Sequence, residues 1–304
     1  MFRRVLAVVV IGLIVPGAAH AYGWPLKPFD RMHAIRGGFN DPRFHVAQDL
    51  SLTASFHFGV DISAPDGTPV YAVEPGTVAR GGDWVSVRRP NRRVFGYWHV
   101  QAVVETGAHV RLHQLLGYTS PGWGHLHFAE SVAGTYRNPL RAGGLTPYRD
   151  TTAPVVDAID IGSLDGNTLR AAGTTVSGTV ALVADAYDLP PVAPPVPWLQ
   201  ARLTPTLVRW RLIEPTGDPT PWRIAADLCC RLDPAAAYDA VFAPGTYQNK
   251  PFRPADYRFW LTRSLDTITL PNGIYTVEVE ASDLAGNAGT DELAFTVDNV
   301  PTLP

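Results

Sequence analysis

Apolar and polar residues alternate along this chain in short runs separated by turn signals. Val70-Tyr-Ala-Val73 runs into Pro75-Gly76, Trp84-Val-Ser-Val87 alternates, and Val94-Phe-Gly-Tyr-Trp-His-Val100 returns after Pro90-Asn91. That order predicts strand, turn, strand. No stretch of the first half sustains a ten-residue helical period. Further on, Thr175–Ala184 and Leu207–Ile213 are strand candidates. Ile274-Tyr-Thr-Val-Glu-Val-Glu-Ala281 alternates with period two, the mark of a strand with one wet face, and precedes an Asp283–Asn287 turn and a final run, Leu293–Val297. Five prolines between Pro190 and Pro197 make residues 188–198 a loop. The polar, proline-marked stretch Leu145–Pro154 divides the chain. The expected architecture is mainly β, in antiparallel sheets.

A length of 304 residues allows about two domains, and 46% apolar residues are enough for two cores. Charged residues are only 17%, too few for a disordered polyelectrolyte. The balance of 25 basic against 28 acidic residues argues against nucleic acid as a partner. Twenty-eight prolines and 27 glycines argue against a helical bundle. Arg3 and Arg4, the apolar run Val5–Val15 and Ala19-His20-Ala21 have the form of a secretory signal peptide, residues 1–21, cut after Ala21. The apolar run is too short to span a bilayer, and no cysteine lies at the cut to take a lipid, so no membrane anchor is expected after cleavage. The expected location is secreted or in the cell envelope. The two cysteines, Cys229 and Cys230, are adjacent; neighbours rarely bond to each other, and they are expected as two small packing residues, an intermolecular bridge being the alternative.

Candidate chemistry is confined to one half. All nine histidines lie at or before His127. In a strand, His125 and His127 would share a face, ~6.6 Å apart, so that one can bind a metal while the other acts on what the metal holds. His57 and Asp61 would sit ~13 Å apart in a straight strand, too far to share an ion. The chain must therefore bend between them, and Gly59 permits it. Two imidazoles and one carboxylate make three ligands and leave a fourth position for water, as in catalytic zinc sites. Zinc fits this donor set best, with iron second.

These pieces resemble the LytM/lysostaphin-type zinc endopeptidases. The run His57-Phe-Gly-Val-Asp-Ile-Ser-Ala-Pro-Asp-Gly-Thr-Pro-Val-Tyr-Ala-Val73, then Gly76-Thr-Val78 and Gly124-His-Leu-His-Phe128, follow the family's pattern almost letter for letter. Arg36–Arg43 is similar to its upstream Gly-Phe-x-x-Arg element, and Asn138-Pro139 to its downstream Asn-Pro. The resemblance implies a LytM-like domain over residues 22–148 that binds one zinc ion through His57, Asp61 and His127. His99 and His125 would be its non-ligating catalytic histidines. It further implies hydrolysis of peptide bonds in peptidoglycan. The alternative is a non-catalytic wall-binding or regulatory protein that retains zinc. With all five key positions intact, the hydrolase is favoured.

The chain departs from that pattern at Leu112-His113-Gln114 and in a shortened loop, Tyr118–Gly124. Trp98 and Trp123, beside the catalytic histidines, would wall a substrate groove or fill the volume the short loop leaves. His33, His45, His109 and His113 are expected at the surface or in packing. Arg88, Arg89, Arg92 and Arg93 are expected as a solvated hairpin tip, or else as a clamp for anionic groups. The hairpin Gly273–Asn287 resembles secreted bacterial immunoglobulin-like domains, which implies a β-sandwich over residues 149–304 that binds wall polymer or protein.

Overall fold

The computed structural model of the chain describes residues 21–46, 52–165, 168–171 and 173–299. The signal peptide expected over residues 1–21 lies outside them except for Ala21. No helix among the described residues is long and apolar enough to cross a membrane.

The chain is mainly β and its strand pairs are antiparallel, the pair of Thr175–Val176 with Ala288–Val297 excepted. In the first half one large sheet runs in the order Ile35–Gly37, Val60–Ser63, His125–Val132, Arg93–Trp98, Trp84–Arg88, Gly76–Arg80, His109–Val110. A three-stranded sheet holds Pro69–Tyr71, Leu115–Thr119 and Val100–Ala102. The strand His125–Val132 is central, so its first six residues are all buried, including both histidines and Glu130. Its neighbours set the register of the site, since His127 lies opposite Asp61 on one side and opposite Trp98 on the other.

The second half forms a four-stranded and a five-stranded sheet. Both contribute to one apolar core, with Leu182 and Phe259 from the first and Trp210, Tyr275, Val277 and Phe295 from the second. The hairpin of Pro42–Val46 and Leu52–Phe56 leaves the first half and joins this core. Phe56 is buried in it, within 6 Å of Tyr238 and Phe242 between ring centres (5.7 and 5.8 Å). Leu203 returns the exchange by joining the core of the first half.

Four expectations from the sequence need correction. The strand read across Val94–Val100 is broken at His99, whose φ is 62°, because the chain there leaves the large sheet for the three-stranded one. The strand read from Thr175 is likewise cut at Gly178, φ 88°, where the chain passes between the two sheets of the second half. Arg89 and Arg93 are neither a solvated turn nor a clamp. Both pair with Glu74, and Arg93 also donates through Nε to the fully buried Glu130, which receives Arg141 and the Tyr22 hydroxyl as well. Burial would raise the Glu130 pKa, but these donors hold it below the ordinary range.

Cys229 and Cys230 are joined to each other by a disulfide. Their turn is gripped from the first half: Asn40 Nδ2 donates to the carbonyls of Leu228 and Arg231, and Asn138 Nδ2 to that of Cys229. Such distant partners leave no trace in local spacing.

Candidate active site

Three sequence-predicted residues converge at the open end of the large sheet. His57 stands just before the strand Val60–Ser63, Asp61 within it, and His127 on the strand beside it. His57 Nε2 lies 2.8 Å from His127 Nδ1 and 3.2 Å from Asp61 Oδ1, and His127 Nδ1 is 3.1 Å from the same oxygen. Ligands at zinc distances of about 2.0–2.1 Å in a tetrahedron are about 3.3 Å apart. The three atoms therefore sit close to one face of such a tetrahedron, and the residues can hold a metal ion.

The chain bends at Phe58–Gly59, as the reach from His57 to Asp61 requires, and Gly59 serves close approach there as well. Its φ is not left-handed. A Cβ there would run into the Phe128 carbonyl oxygen and lie 2.8 Å from His127 Nε2. Glycine lets two strands and a ring approach each other.

Hydrogen bonds fix the rings. His57 Nδ1 lies 2.6 Å from Gly38 O and 2.8 Å from Arg43 Nη2; with that guanidinium nitrogen donating to Asp61 Oδ2, Nδ1 gives its proton to the carbonyl and Nε2 presents its lone pair to Asp61 and His127. Arg43 Nη2 donates to Asp61 Oδ2 at 2.8 Å. Burial, and then the Arg43 charge, lower the His57 pKa to about 3. Burial also lowers that of His127. For Asp61, burial opposes ionisation, but His57, Arg43 and His125 outweigh it and hold the carboxyl well below the usual range. The site is thus set as neutral imidazoles and an ionised carboxylate, the forms that ligate metals.

His125 and His99 face the same space. His125 Nε2 is 3.4 Å from Asp61 Oδ1, and the His99 and His125 rings are 4.7 Å apart. Arg36 Nη2 lies 2.5 Å from His125 Nδ1. Trp123 O lies 2.9 Å from the same nitrogen and also accepts from Arg36 Nη2, so Nδ1 is held in a three-way contact and Nε2 is the nitrogen turned toward the site. The left-handed backbone at His99 turns its ring onto Trp123, stacked at 3.7 Å. Its Nδ1 is buried without a hydrogen-bond partner among the described residues, with Asp83 too distant at 3.7 Å. Burial, with His125 and His127 adding repulsion, lowers the His99 pKa to about 4.

These groups line a cleft of about 510 Å³. Trp98 and Trp123 both wall it, and Asp66 accepts from the amides of Gly122 and Gly124 to hold the short loop that presents Trp123. His45 lies on its rim, whereas His113 packs on Phe29 and His109 is exposed. The opposite wall comes from the second half: Trp198, Gln248 and Asn249. The Trp198 ring stacks 4.2 Å from the Arg36 guanidinium, and Asn249 Nδ2 donates to Arg36 O. Sequence reading assigned no role to these three residues, nor to Arg36 and Arg43 beyond their place in a motif. The only signal was the arginine spacing in that upstream motif.

Residues 55–139 match the sequence profile of Peptidase family M23, and that segment carries an M23 domain. Over 125 residues, 37% of this chain, the sequence is 32% identical to the peptidoglycan DD-endopeptidase ShyC of Vibrio cholerae. The chain spans 28% of that relative's length. Similar solved structures include a zinc-containing peptidase from Vibrio cholerae, with 24% identity over 37% of each chain and a TM-score of 0.30. They also include the catalytic domain of the prophage-encoded M23 protein EnpA from Enterococcus faecalis, with 25% identity, 34% of this chain and 92% of that chain covered, and a TM-score of 0.27.

Proposed function

We propose that the M23 domain of this chain is a zinc-dependent endopeptidase that cuts peptide bonds of peptidoglycan, working outside the cytoplasm after loss of residues 1–21. The observation that carries this reading is the convergence of His57 Nε2, Asp61 Oδ1 and His127 Nδ1 to within 2.8–3.2 Å of one another. His127 Nε2 is buried beside them without a hydrogen-bond partner among the described residues, and the ring packs against Phe58 and Trp98. The 32% identical relative, a peptidoglycan DD-endopeptidase, supports the substrate class. The C-terminal half would act as an immunoglobulin-like unit that also walls the cleft.

Zinc held by the three residues supplies Lewis acidity toward a scissile carbonyl and an attacking water. The remaining work belongs to the chain. His99, kept neutral by burial, accepts the proton of the attacking water. His125, its Nδ1 held by Arg36 and the Trp123 carbonyl, turns Nε2 to the cleft and in its Nε2-protonated form donates to the developing oxyanion and then to the leaving amine. Arg43 keeps Asp61 ionised, and the Gly38 carbonyl keeps His57 in its ligating tautomer. Trp98, Trp123 and Trp198 offer flat faces along which an extended peptide lies.

The test is digestion of several purified peptidoglycans by the zinc-loaded protein, with mass spectrometry of the released fragments. New amino termini at one type of peptide bond, absent for His99→Ala with zinc still bound, are expected. Release of no fragment from any wall at full zinc occupancy would overturn the hydrolase and leave a wall-binding protein.

A further inference from the structure

Behind the cleft, where the two halves meet, three carboxylates face one another. Asp150 comes from the connector between the halves, Asp188 follows the strand Thr179–Tyr187, and Asp283 stands in the turn before Ala288–Val297. One oxygen of each lies within 4.8 Å of the other two. The residues are 7%, 5% and 8% exposed, so all three are more than nine-tenths buried. They border a cavity of about 30 Å³ whose lining includes no basic side chain. Like charges this close and this dry are unfavourable without a cation or a shared proton among them.

The hydrogen bonds they receive bring no countercharge. Asp283 Oδ1 accepts from the amides of Ala285 and Asn287, its Oδ2 accepts from Asn287 Nδ2, and Asp188 Oδ1 accepts from Leu189 N. Asp150 is different. Its Oδ1 accepts from Thr152 N and Oγ1 and the Tyr148 hydroxyl interacts with its carboxyl, but its Oδ2 is buried with no hydrogen bond of good geometry among the described residues. A buried carboxylate with an oxygen free to coordinate, grouped with two more carboxylates, is a ligand for a hard cation.

We propose that Asp150, Asp188 and Asp283 bind one calcium ion, which fastens the connector to the second half of the chain. The donors are all oxygen, which disfavours zinc with its preference for nitrogen and sulfur. Magnesium keeps several of its waters, and a cavity of about 30 Å³ has room for few. Calcium accepts an irregular carboxylate cage and bidentate ligands. The competing occupant is a proton, because burial and the neighbouring Asp150 and Asp283 push the Asp188 carboxyl up to about 8.

The chain expressed from its full sequence and stripped of metal is titrated with calcium chloride, with binding heat and Tm both recorded. One calcium per chain and a Tm rise of roughly 5 °C at saturation are expected. Asp150→Asn abolishes both. Asp188→Asn abolishes both while raising the Tm of the calcium-free chain, since it removes one of three repelling charges. Asp61→Asn retains the full calcium response, which separates this site from the catalytic one. Tyr148 lines the same cavity, so terbium emission excited through tyrosine, displaced by calcium and weakened in Tyr148→Phe, reports the site with its carboxylates intact. Three results would overturn the proposal. These are no heat and no displaceable terbium at about 5 mM calcium, a response unchanged in Asp150→Asn and Asp188→Asn, or a Tm that follows pH near 8 but ignores calcium. The last would mean a shared proton.

Discussion

Substituting Gly59 by alanine tests the geometry of the candidate metal site with a single methyl group. The added Cβ overlaps the Phe128 carbonyl oxygen and comes 2.8 Å from His127 Nε2 and 3.0 Å from Ala129 Cβ. Two of these three neighbours are fixed parts of a central strand, so relief must come from separating that strand from Val60–Ser63 or from displacing the His127 ring. Overpacking of this kind costs about 1–3 kcal/mol, which in a protein of this size lowers Tm by roughly 3–10 °C. A displaced His127 also opens the 2.8–3.2 Å triangle with His57 and Asp61, and zinc affinity is expected to fall by at least about tenfold. Calorimetry on the metal-free protein reads the packing cost, and competition with a chromogenic chelator reads the affinity. Gly82→Ala is the control, because its Cβ would meet nothing within 4 Å and its φ is not left-handed. If Gly59→Ala matched Gly82→Ala in both Tm and zinc affinity, the close-approach account of the site would be wrong.

Other consequences follow from the same contacts. His99→Ala should lower kcat by about 10²- to 10⁴-fold with zinc content unchanged, because its ring lies outside the ligand triangle; a matching loss of zinc would make it structural. Trp198→Ala removes the stacking on Arg36 and should lower kcat/KM by roughly 2- to 30-fold, and unaltered kinetics would remove the second half from the site. For the metal-free protein, His57 titrates near 3 when folded against about 6.5 when unfolded, so the unfolded chain binds more protons between those values. Stability is then full above about pH 6.5 and declines as pH falls toward 3. Denaturant melts at pH 6.5 and 5 should differ by about 2 kcal/mol from this group. His57→Gln should flatten that slope.

What local patterning can carry, the sequence displayed. Leu207–Ile213 and Ile274–Ala281 alternate because each has one buried and one wetter face, and the strands lie at those positions or within one or two residues of them. His57, Asp61, His99, His125 and His127 come together in one cleft, and their motif spacing was legible because their geometry is set within one sheet. Arg93 was misread because its partner, Glu130, lies on another strand and only folding brings them into contact. The break at His99 was invisible because a left-handed residue between two strand-forming runs has no alternation to disturb. Trp198 and Asn249 were missed for a stronger reason. Each stands more than 60 residues from the last histidine, and nothing in a window of sequence marks a side chain that acts on a remote arginine.

The second half is therefore part of the candidate site's wall and support, not an appendage to it. One chain of contacts starts at Thr204, whose amide and hydroxyl both donate to Asp41 Oδ1, while Asp41 Oδ2 accepts from Gly38 N. The carbonyl of that glycine then holds His57 in the tautomer that presents Nε2. A second runs from Trp198 to Arg36 and from Arg36 to His125 Nδ1. One route reaches a residue of the candidate metal site and the other a histidine beside it, and both leave the second half through the connection between Thr179–Tyr187 and Leu207–Ile213. The hairpin that bears Arg43 is seated on the second half by Phe56 against Tyr238 and Phe242. A small rotation of the second half would strain both routes together, because protein interiors are packed too tightly to absorb it locally. The Asp150, Asp188 and Asp283 cluster sits at the base of the same junction, with Gly38 and Thr204 in its wall. Whatever fixes that cluster also fixes the first route, so the geometry of His57 is set partly from a residue more than 140 positions along the chain.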